Sequence, residues 1–387
     1  MDNPKKNAAG IERILLNQMY IFYSIFSFLL WPIIIIGLIV FFVRRRHKKT
    51  HPSQDKEWYL QFALSKEDAV SQLFLLLSFF FLGVTLLAFN NDFGDLLSWR
   101  TILFITSLLG LIGAYYLKTI YTLVFSLVGL TSWWGAQAAQ WIDGKDIKTS
   151  ALFAGLTFLA LLFYSLGHLH EKEMKFKRFA LVYLVLGIIA VTGALFFFST
   201  KPGIGIIGEM TKGASFFGSW QLTLSLLVFI ASLVGTTLYA AAKKLLSPFE
   251  LLAVFALTCL FGITALLPEQ SMFVQAGRSY GFYSGGGELS STGVLWALIY
   301  NFAIFFELLG LIFSGYVRRE TWLINLGALF LFLLIIVKYF DWFFTFLDKS
   351  IFFIGAGILL FVIGWFMERG RRYIISNIKA QTQQIPQ

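Results

Sequence analysis

Apolar runs of about 17 to 24 residues alternate with short polar connectors along the chain. They fall at 21–43, 72–90, 101–117, 119–140, 151–168, 179–199, 220–242, 249–267, 293–316, 321–339 and 351–367. A helix rises 1.5 Å per residue, so about 20 apolar residues cross the roughly 30 Å hydrocarbon core of a bilayer. Continuous runs of this length exclude a barrel, whose strands are short and alternate apolar with polar positions. In hydrocarbon every backbone N–H and C=O needs a partner within its own segment, which a helix supplies. The pattern predicts an all-α, polytopic transmembrane helix bundle of about 11 spans. It divides the chain into an outer amino-terminal tail (1–20), a first span (21–43), a basic cytoplasmic loop (44–71), a ten-span membrane bundle (72–367) and a cytoplasmic tail (368–387). The third and fourth runs meet at Lys118, the tightest of the expected hairpins.

Composition strengthens the membrane reading. Hydrophobic residues make up 58% of 387 and charged residues 13%, about half the charge of an average soluble chain. The net charge of +10 does not point to nucleic acid, because the cations sit in short clusters between spans. Arg44, Arg45, Arg46, His47, Lys48 and Lys49 stand in a row after the first run. If that cluster is cytoplasmic and the sides alternate, cytoplasmic segments hold 20 of the 31 Lys and Arg against 9 acids, and the opposite side holds 11 of each. Every alternate loop then obeys the positive-inside rule, with the amino terminus outside and the carboxyl terminus in the cytoplasm. The run 21–43 is too long for the apolar core of a cleaved signal, so it reads as a retained span. Trp99, Trp141 and Trp220 fall near proposed outer ends, and Trp58, Trp322 and Trp365 near inner ones, as in an interfacial belt. Within 44–71, Ser65 followed by Glu67 and Asp68 predicts a capped helix leading into the second span, preceded by an amphipathic surface stretch. The lone Cys259 excludes a disulfide framework, and its apolar setting predicts a small buried side chain.

Three places carry candidate chemistry. Glu307 is the acidic residue well inside a span, where an ionised carboxylate costs about 2.5–3.5 kcal/mol. It must be protonated, find a donor or face water. Helical spacing puts Trp296, Tyr300, Glu307 and Ser314 near one face, with Ala303 and Gly310 leaving room. That arrangement suits a proton-coupling or ligand-binding carboxyl, and equally a neutral structural Glu. The outer loop 275–288 combines Arg278, Tyr280, Tyr283 and Glu288 with five flexible glycines, a candidate contact set for an anionic or sugar-like ligand, or a plain connector. His168, His170 and Glu171 lie together at an inner span end. No other His or Cys is placed to complete a metal site, so no metal and no cofactor are assigned. Lys338, Asp341, Asp348 and Lys349 bracket the last outer loop, and Gly110 with Ala114 predicts a close helix contact.

The last third resembles an uncharacterised family of polytopic bacterial membrane proteins, domain of unknown function 2157, mainly over residues 294–373. The likeness rests on Lys338-Tyr339-Phe340-Asp341-Trp342 and on Leu347-Asp348-Lys349-Ser350 leading into a span rich in Phe and Gly (Phe352, Phe353, Gly355, Gly357, Gly364). It ends on Glu368-Arg369-Gly370-Arg371-Arg372. The resemblance implies a multi-pass protein of the bacterial cytoplasmic (inner) membrane and supplies no activity. Three functional classes follow. One is a transporter or channel-like component for a small solute, lipid or proton. Another is a non-catalytic scaffold or sensor subunit beside another membrane protein. An outer-face glycan ligase or acyltransferase ranks lowest, because the proposed outer face carries no histidine to act as base.

Overall fold

A computed structural model of the chain describes residues 66–171, 176–273 and 289–343, with isolated positions between 354 and 373. Ten helices occupy the first three segments. They are α1 (Lys66–Asp92), α2 (Trp99–Leu117), α3 (Ile120–Ile142), α4 (Ser150–Glu171), α5 (Lys177–Phe198), α6 (Lys201–Met210), α7 (Trp220–Ala242), α8 (Pro248–Leu266), α9 (Ser291–Arg318) and α10 (Thr321–Phe343). Eight of these, all but α3 and α6, are long and apolar enough to cross a membrane. α3 has the length, at 23 residues, but Gln137, Gln140 and three tryptophans dilute its apolar character. Of the expected eleven spans, 21–43 lies outside the described residues, as does most of 351–367.

The sequence writes the helix boundaries in local chemistry. Ser98 and Ser290 cap α2 and α9 by accepting from the backbone N–H three residues on. At α8 a full capping box forms: Glu250 N donates to Ser247 Oγ, Ser247 N donates to Glu250 Oε2 at 2.9 Å, and Pro248 supplies the preset first turn. Three tight corners use a different device. Lys118 ends α2, Lys244 follows α7 and Arg319 ends α9, each with φ between 56° and 58°. This left-handed backbone normally falls to glycine. Contacts between Tyr115 and His170, and from Arg318 to Glu171 and Leu245, bring all three corners to one face of the bundle.

Packing divides the helices sharply. α4 and α5 bury 56% and 50% of their apolar windows, whereas α1 buries 6% and the other spans 22–28%. The pair approaches closely through small residues: a Cβ on Gly187 would stand 2.7 Å from Tyr164 N, and one on Gly167 would stand 2.6 Å from Leu184. α4 also packs on α7 and α8, α5 on α9, and α9 on α10. A buried bond between Ser165 and Thr237 at 2.8 Å ties α4 to α7. Gly110 and Ala114 are buried as expected of a contact face, and Phe79 and Ser126 fill the space beside Gly110. The outward faces are apolar, with Phe81, Val84, Leu227, Leu252, Phe255 and Phe306 exposed. Water would not tolerate so continuous an apolar surface, and lipid does. The all-helical fold and its exposed apolar helices are those of an integral, multi-pass membrane protein.

Two expectations need correction. Cys259 is exposed, because its position on α8 turns outward and not toward α4. Residues 201–210, read from sequence as part of a loop, form α6, with Thr200 capping and Pro202 in the first turn. This short helix tucks in by its glycines: a Cβ on Gly203 would meet Phe197 O, and one on Gly208 would meet Met272.

Candidate functional site

α9 carries the four intramembrane candidates singled out above, Trp296, Tyr300, Glu307 and Ser314. Its buried stripe runs through Trp296, Tyr300, Ile304, Leu308, Leu311, Ser314 and Gly315. Seven residues fall about 20° short of two turns, so Glu307 sits at the edge of that stripe, turned toward α5. There Thr192 Oγ1, fully buried, donates to Glu307 Oε1 at 2.6 Å. The second oxygen, Oε2, is shielded from solvent and has no hydrogen-bond partner. A charge at this point would have one neutral hydroxyl to solvate it, so the apolar site favours the neutral acid.

The four residues expected on one face lie on the bundle side of α9, but they do not converge. Tyr300, wholly buried, shares a 2.8 Å hydrogen bond with Thr264 of α8 and packs its ring against Phe198 and Trp296. Seven residues separate Tyr300 from Glu307, about 10 Å along the helix. Ser314 is buried another seven residues on. Beyond Tyr300, Asn301 Nδ2 donates to Ala297 O at 2.6 Å and to Ser199 O at 3.3 Å, and Lys338 Nζ donates to the same Ser199 carbonyl. Lys338 thus reaches the end of α5. The side chains of Asp341, Asp348 and Lys349 lie outside the described residues, as do Arg278, Tyr280, Tyr283 and Glu288.

The opposite end of α9 holds a site that sequence reasoning did not assemble. Arg318 joins three helices. Its Nε lies 2.8 Å from Glu250 Oε1 and its Nη2 donates to Glu250 Oε2 at 2.9 Å, a two-pronged pair with the capping residue of α8. Nη1 donates to both oxygens of Glu171 on α4, at 3.3 and 3.2 Å, and Nη2 also reaches Leu245 O at 3.1 Å. His168 completes the cluster, with Nδ1 3.3 Å from Arg318 Nη2 and 3.2 Å from Glu171 Oε2. Only one of those contacts is a hydrogen bond in a given state. A bare Nδ1 accepts from Arg318, and a protonated Nδ1 donates to Glu171. His168 Nε2 is buried and unpartnered. Glu320, just past α9, accepts from Trp322 Nε1 at 2.6 Å. Burial raises its carboxyl above the ordinary range, Glu171 pushes the same way and Arg318 opposes. Tyr164, one turn before His168 and in edge contact with it, lies within electrostatic reach of Glu250, Arg318, Glu171 and Glu307.

His170 serves a separate network. Its Nδ1–H donates to Leu166 O at 2.8 Å, which leaves Nε2 to accept from Tyr115 OH at 2.8 Å, while Tyr183 OH lies 3.0 Å from Tyr115. Two residues apart on one helix, His168 and His170 point about 200° from each other and engage different neighbours. Among the described residues no group of three His, Cys, Asp or Glu side chains is spaced to hold a metal. The paired ends of spans, each carrying one charged residue on the same face, were the signal available in the sequence for the Arg318 cluster.

No protein-family model matches the chain, and neither a curated protein nor a solved structure does.

Proposed function

We propose that the protein is a proton-linked membrane transport component in which Glu307 takes up and releases the proton. The observation that carries this reading is the Glu307 carboxyl, held inside a span by one hydroxyl, with its second oxygen bare and sealed from water. A buried ionisable group of this kind is expensive to keep and marks an ion or proton path by default. The Arg318 cluster lies on one side of Glu307 along α9, and Asn301, with Lys338 on the same Ser199 carbonyl, lies on the other. We read the Arg318 face as cytoplasmic, because the Lys and Arg excess falls on that side. The protein's location in a bacterial cytoplasmic membrane is proposed on the expected resemblance over 294–373 alone.

Reconstitution into vesicles with a trapped pH dye tests the reading. Under an imposed potassium diffusion potential, the wild-type protein should acidify the lumen faster than protein-free vesicles, and Glu307→Gln should fall to their rate. Wild-type flux at the protein-free rate, or flux that Glu307→Gln leaves unchanged, overturns it.

A further inference from the structure

We infer that two corners of the bundle, 243–247 between α7 and α8 and 319–320 between α9 and α10, together bind the headgroup of an anionic phospholipid. Arg318 Nη2 donates to Leu245 O at 3.1 Å, so the second corner is seated directly on the first. The pair carries three further cations, Lys243, Lys244 and Arg319, all exposed. None of them pairs with a carboxylate among the described residues. The nearby carboxylates are already engaged, Glu171 and Glu250 by Arg318 and Glu320 by Trp322. Lys243 lies instead over the ring of Tyr239, 5.7 Å from its centroid.

Each corner also presents an exposed tyrosine about one turn before its cations, Tyr239 at the first and Tyr316 at the second. Such a ring settles at the headgroup level of a bilayer, with a hydroxyl able to donate to phosphate. The surface leading away from the corners is apolar. Phe249 of α8 meets Phe313 of α9 edge to face, with ring centroids 5.9 Å apart. Leu252 and Val317, about one turn from each, continue the exposed strip.

One surface therefore joins positive charge lacking a protein counter-ion to an apolar strip along the span. A soluble anion uses the charge and leaves the strip. A zwitterionic lipid uses the strip but brings its own cation against three others. A phosphodiester without a cation, carried on acyl chains, uses both. The site does not involve Glu307, so it stands or falls apart from the transport reading. The third corner supplies a control. Lys118 is exposed as well, but Tyr115 ties that corner to His170, which points away from the Arg318 cluster.

The test is native mass spectrometry of the purified full chain in detergent, titrated with dioleoyl phosphatidylglycerol or with dioleoyl phosphatidylcholine. The two lipids share their acyl chains and differ in headgroup charge. The wild type should bind the anionic lipid about tenfold more tightly. Lys244→Gln and Arg319→Gln should each lower that preference about threefold, and adding Lys243→Gln to both should bring the two affinities together. Lys118→Gln should leave the preference unchanged. Equal affinity for the two lipids in the wild type overturns the proposal without any variant. So does a preference that survives the triple variant, or one that Lys118→Gln lowers as much as Lys244→Gln does. Inorganic phosphate that displaces the bound lipid at equal concentration would show a plain anion site and overturn it as well.

Discussion

Two stretches of α9, eleven residues apart, solve the burial of charge in opposite ways. At its end Arg318 meets two carboxylates, an imidazole and a carbonyl, so that one cation is shared between two anions across three helices. In its middle Glu307 meets one hydroxyl. Where enough partners can be gathered a charge is kept, and where they cannot the carboxyl must be neutral or transiently hydrated. The first arrangement holds helices together. The second leaves a group free to change state.

The largest expected effect breaks the paired end. Arg318→Met leaves Glu171 and Glu250 facing each other without a cation and should destabilise the protein by about 3–5 kcal/mol. The readout is the melting temperature in detergent, with loss of a monodisperse peak. Glu250→Gln keeps the shape but removes one charge from the pair, and should cost about 1.5–3 kcal/mol. Glu307→Gln should change stability by less than about 1 kcal/mol, since it removes no ion pair and Thr192 can still donate to the amide oxygen. A large loss there would erase the contrast.

The smallest effect concerns Glu320. Its folded-state carboxyl titrates above the ordinary value of 4.5, so the folded chain holds that proton more tightly than the unfolded one. The associated stability is fully present below pH 4.5 and is lost as pH rises through the folded-state value. Glu320→Gln should therefore raise the melting temperature by about a degree or two at neutral pH and have no effect below pH 4.5. An equal gain at both pH values would show that the carboxyl's titration is not the cause.

The sequence announces the spans well, because twenty apolar residues in a row have few alternatives. The run at 293–316 becomes Ser291–Arg318, and Lys118 does separate two helices. α6 escapes because Lys, Pro and three glycines in ten residues look like a connector, although Thr200 followed by Lys-Pro is a start signal. The stripe on α9 is legible by period, yet periodicity says nothing about which neighbour each residue meets. Tyr300 turns to Thr264 and Glu307 to Thr192, partners 36 and 115 positions away. Arg318 is hidden for the same reason, since Glu171 stands 147 residues before it.

The corners at Lys118, Lys244 and Arg319 have a consequence of their own. A side chain in left-handed backbone costs about 1–2 kcal/mol that glycine would spare, and these cations accept that strain on a single face. A triple glycine version should melt at a higher temperature, while its hairpins, stripped of their positive markers, should thread through the membrane in both directions during synthesis.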